Sequence, residues 1–160
     1  MSSQENIRIV RRVIEAFNTG DTSNIHDFVS PDYLNRESQK AKDSYRTQLR
    51  GPEEFIDTIK NLRSAFPDLH YEEQEIISQD NKVVFVANVT GTHTGNFFFV
   101  PPTMNKISYE AVHIYTMGDD GKIIEHRAIR DDLKFMMQLK LVKAESSEYD
   151  KFFKEWKEIG

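Results

Sequence analysis

Lys82-Val83-Val84-Phe85-Val86-Ala87-Asn88-Val89-Thr90-Gly91-Thr92-His93 is the stretch on which the fold turns. Side chains alternate faces along a strand, so Val83, Phe85, Ala87 and Val89 form one wholly apolar row. The other row still carries Val84 and Val86. Working outward, Leu69 to Ser78 precedes this strand across Gln79-Asp80-Asn81. Lys106 to Met117 and Lys122 to Ile129 follow, joined by the turn-rich Gly118-Asp119-Asp120-Gly121. Short links between long strands predict antiparallel hairpins. Tyr109, Ala111, His113 and Tyr115 share one face of the third strand, and Val112 and Ile114 share the other. A sheet that is apolar on both faces needs two covers. Helices supply one, and a second copy of the chain is the expected other.

The helices lie upstream. Ile7, Val10, Ile14 and Phe17, joined by Ile9, Val13 and Ala16, step by three and four and predict a helix that Gly20 stops in a left-handed cap. A short helix is expected over Ile25 to Val29, followed by a turn at Ser30-Pro31-Asp32. Asn35 to Arg50 is polar and weakly periodic, the pattern of a long loop or lid. Gly51-Pro52-Glu53-Glu54 opens a further helix, with proline in the first turn and acids at the positive dipole end. Its apolar face is Phe55, Ile56, Ile59, Leu62 and Phe66, and it ends before Pro67. Helices first and a meander of strands afterwards is an α+β order, with the helices on one face of the sheet. After the last strand a helix is expected over Leu133 to Leu141, with Asp131 and Asp132 as its caps. In the tail from Lys143 to Gly160, Tyr149, Phe152, Phe153, Trp156 and Ile159 form a helical stripe expected to dock on the domain or across a dimer.

Composition narrows the function classes. A chain of 160 residues fits one domain, and the absence of cysteine leaves no disulfide framework, thiolate metal site or cysteine nucleophile. A net charge of −5 with scattered basic residues does not suit a nucleic-acid surface. No basic start with an apolar run and no bilayer-length apolar stretch is present, so a cytoplasmic protein with no membrane partner is expected. The 11 Phe against one Trp suit walls that select apolar ligands, or a filled core.

Three histidines, His93, His113 and His126, sit on three successive strands. If all three turn toward the helices they border one hollow, and imidazole is the side chain for proton transfer near neutral pH. They read equally well as hydrogen-bonded sheet residues. Their spacing fixes no ligand geometry, so no metal site is expected. Expected lining residues are Phe17, Tyr33, Phe55, Tyr109 and Tyr115, with Phe97 and Phe99 from Asn96 to Pro102 either lidding the ligand or burying against a neighbouring subunit.

Gly91-Thr92-His93-Thr94-Gly95, Pro101-Pro102-Thr103, Ala111-Val112-His113-Ile114-Tyr115 and Gly121-Lys122-Ile123-Ile124-Glu125-His126 together resemble the SnoaL-like polyketide cyclase, or ester cyclase, family. The Gly51-Pro52 opening, the closing Arg130-Asp131-Asp132-Leu133 and the pair Gln138-Leu139 extend the likeness over Asn6 to Val142, leaving the tail as a separate element. The resemblance implies the cone-shaped sheet of the nuclear transport factor 2-like proteins, wrapped around N-terminal helices, in a homodimer or homotetramer. It also implies a small, hydrophobic carbonyl substrate and an intramolecular aldol ring closure with neither metal nor organic cofactor. The family's catalytic aspartate belongs to a Glu-His-Trp-Asp run on the last strand. Here that run reads Glu125-His126-Arg127-Ala128, so Ala128 stands where the carboxylate should be. His113 resembles the second polar pocket residue of the cyclases. Arg127, in place of the tryptophan, is expected to pair with Glu125 or a partner subunit. Three readings stay open: a histidine-driven cyclase or isomerase, a small-molecule-binding module without turnover, and an assembly protein.

Overall fold

Helix α1 (Ser3–Thr19) begins where the Ser2 hydroxyl accepts the Glu5 N–H at 3.2 Å and ends at Gly20, whose φ of 80° lets its N–H return to Ala16. The computed structural model describes residues 2–36 and 51–142. The remaining elements are α2 (Ile25–Phe28), β1 (Val29–Asn35), α3 (Pro52–Ala65), β2 (His70–Gln79), β3 (Lys82–Thr92), β4 (Lys106–Met117), β5 (Ile123–Arg130) and α4 (Asp132–Gln138). The curved five-stranded sheet runs β1-β5-β4-β3-β2, with the N-terminal helices on one face.

Strands β2 to β5 are the antiparallel meander read from the sequence, with Phe85 opposite His113 and Val83 opposite Tyr115. Strand β1 corrects that reading. Ser30-Pro31-Asp32, expected as a turn, lies inside an edge strand that pairs parallel to β5. The register slips between Val29 and Leu34, and that irregularity absorbs the proline, which an edge strand tolerates because its missing N–H costs no central ladder bond. The sheet is therefore mixed rather than wholly antiparallel.

Val83, Phe85, Ala87 and Val89 are completely buried under the helices, together with Ala111 and Tyr115. Polar clamps fix α1 over β2. Asn18 donates to the Tyr71 carbonyl at 3.1 Å and accepts the Tyr71 N–H at 2.7 Å, while Arg11 pairs with Glu73 at 2.6 Å. Arg63 of α3 donates to the carbonyls of Phe17, Asn18 and Leu69 at 2.8–3.1 Å and to that of Pro67 at 2.5 Å, tying the end of α1 to the start of β2. Gly51 must be glycine, since its φ is 68° and a Cβ there would meet the Pro31 carbonyl oxygen at 2.6 Å.

Asp131 caps α4, as expected, by accepting the Lys134 N–H at 3.0 Å. The helix is shorter than the span read from the sequence, and Lys140 beyond it takes a φ of 60°. Gln138 grips Ser108 from both sides, accepting its N–H at 2.8 Å and donating to its carbonyl at 3.0 Å, so α4 folds back on β4. On the outer face, Val84, Val86, Val112 and Ile114 are half-buried and Ile129 is 61% exposed. Residues 37–50 of the expected lid and the tail stripe from Tyr149 to Ile159 lie outside the described residues. Among the described residues no helix is long and apolar enough to cross a membrane.

Candidate active site

The register of β4 on β5 sets the site. Ala111 lies opposite Arg130, His113 opposite Ala128, and Tyr115 opposite His126. Alternation then puts His126, Ala128 and Arg130 on the same face as His113, toward the helices. His113 and His126 are diagonal neighbours with nearly parallel rings, 5.2 Å between centroids, and His113 Nδ1 is 2.9 Å from His126 Nε2. Both rings are buried, and among the described residues His113 Nε2 has no hydrogen-bond partner.

The tautomer of this bond decides what Nε2 offers. With the proton on His113 Nδ1, donated to His126, Nε2 presents a bare lone pair. With the proton on His126 Nε2, the His113 Nε2 carries an N–H instead. Burial holds His113 down at about 4, helped by the charge of Arg130. His126 is pushed well below the ordinary histidine value by burial, by His113 and by Arg130. At neutral pH the pair is therefore uncharged, with one shared proton on the connecting bond.

An unbroken run of aromatic rings leads to this pair. Tyr33 packs on Phe55 at 5.3 Å, Phe55 on Phe17 at 5.4 Å, Phe17 on Tyr71 at 5.5 Å, and Tyr71 edge-on to His113 at 5.5 Å. Tyr115 covers His126 at 4.9 Å, and Phe85 lies 6.2 Å from His113. Phe17, Tyr33, Phe55 and Tyr115 thus join the pair. Beside it the sheet carries only methyl groups at Ala87, Ala111 and Ala128, which are cross-strand neighbours or one row apart on β3, β4 and β5.

His93 belongs elsewhere, although its parity along β3 is the same. It lies eight residues beyond Phe85, the partner of His113, which is about 26 Å along an unbent strand. There it stacks on Phe66 at 5.1 Å, and its Nδ1 accepts the Thr103 N–H at 3.2 Å and lies 3.0 Å from the Thr103 hydroxyl. Burial lowers its pKa. Phe97 and Tyr109 fall into this second ring group, each packed on Phe135 of α4, at 5.6 and 5.2 Å. Phe99 joins neither group and is 93% exposed. Arg127 is exposed, and Glu125 is engaged not by it but by Arg36 at 2.7 Å.

Two members of the site were not picked out in the sequence. Tyr71 links α1 to His113, and its signal is the alternation of β2, which turns it inward opposite Val89. Arg130 stands in the closing Arg130-Asp131-Asp132-Leu133 run, and counting by twos from His126 places it on the inner face. An open groove between α1 and α2, lined by residues such as Arg12, Thr19 and Phe28, shares no residue with the ring run. Among the described residues no three of His, Asp or Glu are placed to hold a metal ion.

The described residues thus bring two buried imidazoles together among aromatic rings. Residues 7–139 match the SnoaL-like polyketide cyclase profile, a span that includes the imidazole pair and the ring run. The aklanonic acid methyl ester cyclase DnrD of Streptomyces peucetius is 36% identical over 140 residues, covering 87% of this chain and 92% of its own. The nogalonic acid methyl ester cyclase of Streptomyces nogalater is 32% identical over 116 residues, covering 72% and 82%. Among solved structures, TsrD from Streptomyces laurentii superposes with a TM-score of 0.76 at 18% identity, covering 89% of this chain and 99% of its own. A SnoaL-like polyketide cyclase from Agrobacterium tumefaciens gives 0.68 at 15% identity, covering 87% and 99%. With the family profile matched from α1 through α4 and a cyclase 36% identical over most of both chains, the chain belongs to the SnoaL-like polyketide cyclase family.

Proposed function

We propose that this chain is a cofactor-free acid/base enzyme for a small, hydrophobic carbonyl compound, a cyclase or isomerase in which the His113–His126 pair performs the proton transfers. The observation that carries the reading is the buried Nε2 of His113, unpartnered among the described residues, with Nδ1 anchored on His126 and aromatic rings leading up to it. Two named cyclases, each at least 32% identical, support the reaction type.

In a ring closure, His113 Nε2 takes a proton from the carbon flanked by carbonyl groups while Nδ1–H donates to His126. The enolate carbon attacks a second carbonyl of the same molecule, and one C–C bond forms. The proton on Nε2 then passes to the new alkoxide, so the imidazole returns to its starting state. Low pKa values keep the base unprotonated at neutral pH, and the developing enolate supplies the counter-charge that strengthens it in the transition state. Positioned acid/base groups of this kind contribute about 10²–10⁴-fold.

A second reading has its own support. Ala128 faces His113 where the cyclases' catalytic carboxylate is expected, and a methyl group moves no proton. On that reading the chain keeps the pocket and binds without turnover. Ring closure assayed on a panel of polyketide methyl esters separates the two. The enzyme reading expects turnover by the wild type and a loss of about 100-fold or more in His113→Ala. Turnover found only after Ala128→Asp overturns it in favour of the binding module.

The apolar outer face of β3, β4 and β5 supports a homodimer as the form in which the site works, with Val86, Val112 and Ile129 under the second copy.

A further inference from the structure

His93 has no place in the chemistry above, yet its ring is wholly covered and one of its nitrogens is left over. The tautomer is fixed by the backbone. An N–H can only donate, so the Thr103 N–H at 3.2 Å makes Nδ1 the acceptor and leaves the proton of the neutral ring on Nε2. That Nε2–H is buried and, among the described residues, has no hydrogen-bond partner. Burial lowers the pKa of the ring and the Gly95 backbone raises it, but Gly95 makes no hydrogen bond to Nε2.

The neighbouring rings do not take up this donor. Phe66 lies nearly flat on the imidazole, 28° between planes and 5.1 Å between centroids, so it meets the face of the ring and not its N–H edge. Phe97 stands edge to face at 6.4 Å, beyond the reach of an N–H···π contact. A water at this edge needs two or more polar partners, which phenyl rings do not offer. The complement of a buried donor among rings is a neutral oxygen carried on a flat, apolar body. The link from β3 to β4 closes over the box under strain. Phe97 and Val100 exchange backbone hydrogen bonds of 2.9 Å across a two-residue turn that holds Phe98 at a φ of 52°. Met104, at 61°, is a second non-glycine residue of this link in left-handed backbone. The turn keeps Phe97 half-buried and sends Phe98 and Phe99 outward, 65% and 93% exposed. Lifting it relieves strain, so this wall is the one that gives way to a guest.

We propose that His93, with the rings of Phe66, Phe97 and Phe135, forms a second binding site, separate from the imidazole pair, for a flat, neutral aromatic ketone or ester. The carbonyl oxygen of the guest accepts the Nε2–H, and its rings pack against Phe66 as the 97–100 turn lifts. The site stands whether or not His113 and His126 turn a substrate over.

The test uses 2-acetylnaphthalene and its oxygen-free match, 2-ethylnaphthalene, titrated at pH 7.5 into the full chain. Long-range hydrogen–nitrogen spectra report the His93 ring, and the Thr103 amide reports the same place in variants. Before any addition, His93 should show its proton on Nε2 and a bare Nδ1. The ketone should then shift Nε2 and the Thr103 amide, saturating at a concentration at least about tenfold lower than the hydrocarbon needs, the scale of one hydrogen bond. His93→Phe keeps a ring and removes the donor, so the ratio read at Thr103 should fall to about one. His113→Ala should leave both responses in place, and far-UV circular dichroism confirms that each variant folds. A His93 proton found on Nδ1, reporters that ignore both compounds up to their solubility limits, or equal titration by the two overturns the inference, and these readings need the wild type alone. A ketone preference that survives His93→Phe overturns it too. Responses abolished by His113→Ala would place the guest at the imidazole pair and end the case for a second site.

Discussion

Acidification should destabilise this protein in a window set first by the imidazole pair. His113 has its pKa near 4 in the fold against an ordinary 6.5, so between those values the unfolded chain binds a proton that the folded chain refuses. Stability rises with pH wherever the unfolded state holds more protons, so this contribution is complete above about pH 6.5 and lost as pH falls toward 4. Integrating over that interval, His113 alone accounts for a loss of about 2–3 kcal/mol between pH 7 and pH 4.5. His126 adds to the loss in the same direction. The carboxylates of Asp68 and Glu73, held low by Thr92 and Arg11, add to the loss as pH falls through and below their ordinary values, Glu73 from the acid end of this range. Urea unfolding at pH 7, 6, 5.5, 5 and 4.5 measures the slope. His113→Asn keeps a hydrogen-bonding group near Nδ1 and cannot be protonated, so its stability should be flatter over this range by about the same 2–3 kcal/mol. Wild-type stability constant to within about 0.5 kcal/mol from pH 7 to 5 would refute the reasoning, as would a His113→Asn variant with the wild-type slope.

Other perturbations test neighbouring parts of the account. Ala128→Asp sets a carboxylate about 5 Å from His113 across the strands and should raise the His113 titration midpoint by about 1–3 units in nitrogen-15 spectra. An unmoved midpoint would mean that position 128 does not face His113. Gly51→Ala forces a side chain into a left-handed backbone against the Pro31 carbonyl and should cost about 1–3 kcal/mol in thermal unfolding. Arg63→Ala strands four carbonyls at the junction of α1, α3 and β2, and a loss of about 2–3 kcal/mol is expected from the same measurement. Val112→Glu places a charge at the centre of the outer apolar face and should turn a dimer into a monomer by light scattering, whereas an unchanged mass argues that the second copy binds elsewhere.

The sheet was legible because its strands alternate without interruption. Val83 to Val89 and Tyr109 to Tyr115 announce both their faces and, through short links, their antiparallel pairing. Strand β1 was hidden by a strong local signal, since Ser-Pro-Asp favours a turn and only pairing with β5, a partner about 90 residues away, makes it a strand. The site was half legible for a related reason. Parity placed His93, His113 and His126 on one face, but parity says nothing about distance along a strand, and His93 sits eight residues past the partner of His113. Phe99 shows the limit of composition, because an aromatic residue in a loop carries no period that says whether it faces in or out. Arg130 was overlooked because a charge at a strand end reads as surface until the register sets it beside the imidazoles.

The central claim is that His113 Nε2 faces a guest rather than a filled core. Long-range hydrogen–nitrogen correlation spectra of the imidazole rings test it most directly, recorded at pH 7.5 before and after methyl 2-naphthoate and 2-naphthoate are added. The account predicts that one or both probes shift the His113 Nε2 resonance. Resonances at His113 that ignore both compounds up to their solubility limits would contradict it.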